Sequence, residues 1–144
     1  MQISSRFTIA VHILVCIEGF KKENKVTSEF LASSVGVNPV VIRRVLQQLK
    51  KAEIVTVKRG SGGADLAKDP REITLLDVYN AVESVEEGQL FHFHEEPNEL
   101  CPVGRNIHKI MDHRLEEIQK AMEDKMKSMT IADIMTDANK IIEK

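Results

Sequence analysis

The sequence is poor in residue types that mark specialised classes of protein. Its 144 residues include two cysteines, one tyrosine and no tryptophan. Two cysteines cannot form the disulfide scaffold of a small secreted protein and indicate a reducing compartment, so we expect a cytoplasmic location. No apolar run approaches the roughly 20 residues that span a bilayer, which predicts no membrane partner. A hydrophobic content of 42% and a charged content of 29% indicate a globular chain, neither disordered nor collagen-like.

The net charge of −2 hides an uneven distribution. Residues 1–71 contain 12 Lys and Arg against 6 Asp and Glu, whereas residues 72–144 contain 8 against 16. The first half therefore carries a net charge of +6 and the second half a net charge of −8. A cationic half is typical of proteins that bind a polyanion, although two separately solvated faces give the same totals.

The apolar segment at residues 7–17 (FTIAVHILVCI) has the character of a signal-peptide core and follows Arg6. It contains His12, and no small-x-small cleavage site follows it. The segment is therefore predicted to form a buried first helix that begins at about Ser4 or Ser5, with serine as its cap, and ends near Gly19.

Capping residues and apolar spacing predict a helix-turn-helix next. A second helix is capped by Thr27 or Ser28 and broken by Gly36. A third begins with Asn38 as N-cap and Pro39 in its first turn. The third helix has the i, i+3, i+4, i+7 pattern of one buried face, formed by Ile42, Val45, Leu46 and Leu49. Two helices joined by a glycine turn over residues 27–51 are typical of this DNA-binding motif.

A β-hairpin is predicted directly after the third helix. Residues 54–59 are β-prone, residues 60–63 form a glycine-rich turn, and residues 64–66 can return as a second strand. A hairpin in this position is a wing. Arg59 precedes the turn, where its long side chain can lead the tip of the wing into a minor groove.

The second half is predicted to be mainly helical. A helix over residues 73–85 is capped by Thr74, residues 86–104 are irregular and acidic, and a last helix follows Thr130. A long helix over residues 103–126 has an apolar stripe of eleven-residue period, formed by Ile107, Met111, Leu115, Ile118, Met122, Met126 and Met129. One head of this size cannot cover such a stripe, so we expect a second copy of the helix to cover it.

These elements predict a mostly α fold with a small β-hairpin wing, in which a winged helix-turn-helix head is joined to a long dimerisation helix. Residues 1–85 form the expected DNA-binding domain, residues 86–102 a sensing loop, and residues 103–144 the dimerisation helix and a C-terminal helix.

The chain also resembles the Rrf2 family of bacterial winged-helix transcription regulators over essentially its whole length. The resemblance rests on ISSRF (residues 3–7), VGVN (35–38), LKKAEIV (49–55), RGSGGADLA (59–67) and ITLLDV (73–78). It implies a homodimer whose long helices cross and whose heads each read half of a palindromic operator in double-stranded DNA, and we expect a repressor.

Carried over by position, the resemblance implies base contacts from Val40 and Arg43 and a minor-groove contact from Arg59. Val40 suits a thymine methyl group, and Arg43 suits either a guanine edge or a phosphate. The other DNA-contact candidates are expected to position the sugar–phosphate backbone: Arg6, Asn38, Arg44, Gln47, Lys51, Lys58 and Ser61. For each of them, an ordinary solvated surface is the alternative.

Cys101 is the candidate redox-sensing residue. Cluster-binding members of the family use three closely spaced cysteines before the long helix, whereas this loop has one, so we expect no cofactor. The position of Cys101 at the start of a helix and near Arg105 favours a thiolate, whereas the nearby glutamates disfavour it. Family members with a single cysteine here include thiol-stress sensors; the alternative is an unreactive capping cysteine. Cys16 is expected to pack in the first helix or to resolve oxidised Cys101.

Three other functions stay open. His92, His94, Cys101 and His108 offer donors for a metal- or iron–sulfur-sensing regulator, although their spacing matches no standard zinc motif. A thiol-dependent enzyme with Cys101 as nucleophile lacks any supporting motif, so we predict that the protein is not an enzyme. A winged helix that serves protein–protein assembly conflicts with the cationic first half.

Overall fold

Six α-helices, one short 3₁₀ helix and a two-stranded hairpin make up the part of the chain described by the structure, a computed structural model that covers residues 4–23, 25–59, 63–83, 90–91, 94 and 96–142. The elements in chain order are α1 (Ser5–Phe20), α2 (Ser28–Val35), α3 (Pro39–Lys51), β1 (Val55–Val57), β2 (Ala64–Leu66), the 3₁₀ helix (Pro70–Glu72), α4 (Leu75–Val82), α5 (Pro102–Lys127) and α6 (Ile131–Ile142). The predicted fold class, mostly α with a small β-hairpin, is confirmed.

The helices of the first half begin where their capping residues predict. Ser4, Thr27 and Asn38 are the N-caps of α1, α2 and α3, and the side-chain oxygen of each accepts a backbone N–H from the first turn. Gly36 ends α2 in the left-handed region at φ 79°. These starts and this stop depend on local hydrogen bonds, which is why the sequence predicts them well.

The ends of α1 and α4 differ from the prediction. α1 continues through Gly19 to Phe20, whereas α4 ends at Val82 and not at residue 85. The start of α4 agrees with the predicted cap, because Thr74 is its N-cap and forms a capping box with Asp77. In addition, the carbonyl of Ile73 accepts the N–H of Ile131 at 2.9 Å, and Thr74 forms an isolated β-bridge with Thr130.

The core of the head surrounds α1. Ala10, Ile13, Leu14 and Ile17 are fully buried, and α1 contacts α2, α3, α4, α6 and β2. Because its neighbours lie on several sides, α1 is apolar around most of its circumference. The apolar segment at residues 7–17 is thus a core helix, as predicted.

The wing is tied to the segment that precedes α2. β1 and β2 are antiparallel, with Val55 opposite Leu66, and the Ala64 N–H donates to the carbonyl of Val26 at 2.9 Å. Gly63 has φ 78°, and a Cβ there would lie 3.0 Å from the backbone N and O of Val26. Only glycine allows this close approach without strain. Gly60, Ser61 and Gly62 lie outside the described residues.

The starts of α4 and α6 are joined. Besides the Thr74–Thr130 bridge, the N–H of Leu75 donates to the carbonyl of Met129 at 2.9 Å. Ile131 is fully buried in the same core as α1, and α6 packs on α1 and on the 3₁₀ helix. The predicted domain boundaries remain predictions, but by its contacts α6 is part of the head.

α5 differs from the other helices because none of its 26 residues is buried. It packs on α4, yet it leaves large apolar side chains exposed, namely Val103, Ile110, Met111 and Ile118. Within the described ranges, no helix combines the length and the apolarity that crossing a membrane requires.

Candidate nucleic-acid interface

α3 has two chemically distinct faces. Its buried face packs Ile42, Val45, Leu46 and Leu49 into the core. The opposite face is exposed and presents Val40, Arg43, Arg44, Gln47 and Lys51. These five positions follow the spacing i, i+3, i+4, i+7, i+11, so they share one side of the helix. Every α3 side chain predicted to touch DNA therefore lies on one solvent-facing surface.

The first turn of α3 is held by Asn38. Its Oδ1 atom accepts the Val40 N–H at 2.8 Å, and Pro39 occupies the first helical position. Val40 itself is 52% exposed. Asn38 thus fixes the start of α3 and leaves Val40 at the outer surface, where an apolar group gains from contact with another apolar surface.

The wing and α3 enclose a groove with the start of α2. Its charged lining residues are Glu29, Arg43 and Lys58. Lys58 and Arg59, which follow β1, are both exposed. The structure thus brings Arg43 and Lys58, two of the predicted DNA contacts, to one groove, while Ser61 lies outside the described residues.

The hydrogen bonds of Arg6 are made outside that groove. Its Nε atom donates to Ser4 Oγ at 3.2 Å, and the Ser4 hydroxyl donates to Glu83 Oε1 at 2.8 Å. This chain of bonds joins the start of α1 to the end of α4. Arg6 therefore has a structural role at this junction, whatever it contributes to DNA binding.

The sequence analysis missed Glu29. This residue lies in the first turn of α2, and its Oε1 atom is 3.8 Å from Arg43 Nη1. The signal available in the sequence was an acidic residue on α2, the helix that precedes the basic helix α3. The two residues are 14 positions apart, so no local periodicity links them.

Cys101 is the N-cap residue of α5, and its side chain makes no capping hydrogen bond. The backbone N–H groups of Gly104 and Val103 nevertheless lower the pKa of the Cys101 thiol below its ordinary value, and desolvation opposes them. The thiol is partly exposed. This combination of a favoured thiolate and solvent access is typical of a reactive cysteine.

The loop before α5 packs tightly against that first turn. The N–H of Cys101 donates to the Asn98 carbonyl at 3.1 Å, and the N–H of Leu100 donates to Asn98 Oδ1 at 2.9 Å. A Cβ at Gly104 would lie 2.6 Å from the Asn98 carbonyl oxygen, so this approach requires glycine. Sequence reasoning overlooked Gly104, whose signal was a glycine in the first turn of a long helix.

The other sulfur and nitrogen donors do not gather around Cys101. Cys16 lies in the core of the head, with its Sγ atom 3.3 Å from Ser34 Oγ. His108 Nδ1 is 3.4 Å from Asp112 Oδ1 on the same helix. The described residues contain no group of three or more His, Cys, Asp or Glu side chains that could hold a metal ion. His92 lies outside those residues, so the predicted metal set stays a prediction.

A three-helix head with a recognition-type helix and an attached hairpin defines a winged helix-turn-helix protein of the DNA-binding class. The chain belongs to the Rrf2 family, whose model, described as an iron-dependent transcriptional regulator, matches residues 3–137. The chain is 47% identical to YwnA of Bacillus subtilis (strain 168), named as an HTH-type transcriptional regulator, over 92% of this chain and 96% of that protein.

Two solved structures show the same fold. A crystal structure described as that of a DNA-binding protein has 40% sequence identity and a TM-score of 0.72, covering 91% of this chain and 99% of that chain. The structure of T. potens IscR has 23% identity and a TM-score of 0.70, covering 96% of this chain and 88% of that chain. The predicted family is confirmed, and with it the prediction of a DNA-binding transcriptional regulator instead of an enzyme.

The iron in the family description does not suit the donors of this chain as an iron–sulfur centre. Such clusters are held by several thiolates, and the sequence has two cysteines in all. One of them, Cys16, is buried beside Ser34, and Cys101 caps a different helix.

Proposed function

We propose that the protein is a homodimeric repressor that reads a palindromic operator with α3 and the wing, and whose DNA binding changes when Cys101 is oxidised. The observation that carries the DNA-reading part is the exposed face of α3, which gathers Val40, Arg43, Arg44, Gln47 and Lys51 opposite its buried stripe. An α-helix with such a face fits the major groove of B-DNA.

The side chains divide into two roles. Val40 and Arg43 lie in the first turns of α3. We propose that they meet base edges, Val40 a thymine methyl and Arg43 a guanine. Phosphates are the expected partners of the remaining exposed candidates, which set the orientation of the head: Arg44, Gln47, Lys51, Lys58 and Arg59. Arg59 can also enter the minor groove with the wing.

The exposed apolar side of α5 supports a dimer. A helix of 26 residues without a buried side chain gains little from its own head. Its exposed Val103, Ile110, Met111 and Ile118 are the apolar surface that a second copy of α5 would cover. A two-fold dimer places two identical α3 helices on DNA, which is the reason to expect a palindromic operator. We propose repression, in which a dimer on an operator that overlaps a promoter excludes the polymerase.

The proposed redox step takes place at Cys101, beside the first turn of α5. The thiolate of Cys101 attacks one oxygen of a hydroperoxide, the O–O bond breaks, and the products are a sulfenic acid on Cys101 and the corresponding hydroxide or alkoxide, which takes up a proton. Cys101 lies in the turn where Asn98 packs closely on Gly104, and its N–H donates to the Asn98 carbonyl. We propose that the larger, polar sulfur group disturbs this turn. A displaced loop at the end of the dimerisation helix is the proposed signal.

The experiment that tests the DNA-reading role is a fluorescence-anisotropy titration of reduced protein on DNA from upstream of its own gene and on random DNA, at two salt concentrations. We expect specific binding that weakens as salt rises. Arg43→Gln should weaken operator binding by about tenfold or more, because a bidentate guanine contact is lost.

The matched control is Lys109→Gln, which removes one positive charge from an exposed position of α5. It should leave operator binding within about twofold, since its helical position is opposite the apolar stripe. Equal effects of the two variants on operator binding would contradict the placement of Arg43 at the DNA surface.

A further inference from the structure

We propose that Glu29 is a selectivity residue, whose carboxylate weakens binding to random DNA more than binding to the operator. This inference rests on the proposed function, because it takes the groove between α2, α3 and the wing to face DNA. Glu29 is not a DNA-contact candidate by its own chemistry, since a carboxylate repels the phosphates that surround every DNA site.

The geometry places Glu29 among cations. Its carboxylate is 3.8 Å from the guanidinium of Arg43, and both residues line the groove together with Lys58. The side chains of Arg43 and Glu29 are 54% and 75% exposed, so both are available to a ligand that enters the groove. The local charge arrangement is thus one carboxylate on α2 close to the arginine that we propose reads a base.

Stability does not account for this pair. Exposed ion pairs contribute little to folding, because water screens them and two long side chains must be ordered. An acidic residue in the first turn of α2 does favour that helix, but this effect needs no contact with Arg43. The contact of Glu29 with Arg43 is therefore expected to affect DNA binding more than it affects folding.

The consequence differs between the two kinds of DNA. In the non-specific mode on random DNA, the head binds the sugar–phosphate backbone, so the partner of Arg43 is a phosphate that must replace Glu29 and approach its negative charge. On the operator, Arg43 gains the two acceptors of a guanine edge, which are further from the phosphate backbone and offset the loss of Glu29. The same carboxylate thus costs more on random DNA than on the operator, and the ratio of the two affinities rises.

The test uses the full-length reduced protein with Glu29→Gln, titrated onto operator and random duplexes at two salt concentrations. We expect affinity for random DNA to rise about threefold to fivefold, with less than a twofold change on the operator. The salt dependence on random DNA should become steeper by about one released counterion, because Arg43 then engages a phosphate. In an Arg43→Gln background, the effect of Glu29→Gln should be at most half as large.

The matched control is Asp124→Asn on α5, which breaks the exposed pair between Lys120 Nζ and Asp124 Oδ2, 2.9 Å apart, with the same change of charge. Glu29→Gln overturns the inference if it acts like this control, or if it tightens both duplexes equally. If the wild type shows no preference for the operator, or if Arg43→Gln changes nothing, the proposed function itself fails. A thermal melt of each variant separates a loss of fold from a change in DNA binding.

Discussion

At Cys101 the backbone favours the thiolate. Sequence reasoning had pointed both to the start of a helix and to Arg105, and the pKa of the thiol is lowered by the N–H groups of Gly104 and Val103. Because backbone groups lower this pKa, the size of the shift depends on how the first turn of α5 is formed. This turn is packed against Asn98 through Gly104.

Cys101 is therefore expected to react with iodoacetamide at lower pH than an ordinary cysteine. A lowered pKa means that the thiolate, the reactive form, is already populated as pH rises towards the usual thiol range. The rate of alkylation is measured by mass spectrometry as a function of pH. It should reach half of its maximum at a lower pH than the rate for an unstructured cysteine peptide.

The two cysteines provide the control for this measurement. Cys16 is buried and should be protected in the folded protein, so Cys16→Ser should keep the fast reaction and Cys101→Ser should lose it. Fast labelling that persists in Cys101→Ser would refute the assignment of the reactive thiol. Ionisation of Cys101 also stabilises the fold above the ordinary thiol pKa, and this contribution is lost as pH falls through the lowered value.

At the scale of elements, the wing depends on a backbone contact that its own sequence does not reveal. Gly63 at φ 78° brings the hairpin against Val26, and the Gly63 carbonyl also accepts the N–H of Lys58 at 3.0 Å. The residue thus closes the hairpin and anchors it to the segment before α2. Lys58, a predicted phosphate contact, is positioned by the same residue.

Gly63→Ala should destabilise the protein by about 2–3 kcal/mol, measured by urea unfolding. A left-handed backbone conformation strains alanine, and the added Cβ meets the Val26 backbone at 3.0 Å. Gly36→Ala is the matched control, because Gly36 has φ 79° and open space around the position of a Cβ. It should cost only about 1 kcal/mol. Equal losses for the two variants would show that contact with Val26 contributes nothing.

The junction of α4, α5 and α6 lies at the opposite end of α5 from Cys101. Thr74 and Thr130 pair their backbones, and each also caps its helix in a reciprocal hydrogen-bond arrangement with Asp77 and Asp133, respectively. α5 is continuous from Pro102 to Lys127, a length of about 39 Å at 1.5 Å per residue. A change at Cys101 is thus connected to the head through one helix.

At the scale of the whole molecule, the exposed apolar side of α5 is the feature that a single chain leaves unsatisfied. Ile118 lies in the middle of the predicted stripe and is 53% exposed. Ile118→Glu should convert a dimer into a monomer in sedimentation velocity, because a charge at the apolar contact must be desolvated. Operator affinity should then fall by about a hundredfold, since the two heads no longer bind as one unit.

Folding of the head should survive that change, because Ile118 is not buried in its own chain. Lys109→Glu, a charge change at an exposed position opposite the stripe, should remain dimeric. A dimeric Ile118→Glu would place the dimer contact elsewhere on the protein.

The sequence by itself determined the local structure of this protein. The N-caps Ser4, Thr27 and Asn38, the glycine stop at Gly36 and the two faces of α3 all depend on residues within one or two helical turns of each other. Hydrophobic periodicity and capping act over that range, so they can be read along the chain. The class of protein followed from their order, a helix-turn-helix and then a hairpin.

Tertiary structure alone decided the contacts between distant segments. It placed Ile131 in the core around α1, paired Glu29 with Arg43, and seated Gly63 on Val26. Each of these joins residues from different elements, and their energies depend on packing and backbone approach in three dimensions, which no local pattern encodes. For the same reason, the backbone pairing of Thr74 with Thr130 could not be predicted from the sequence.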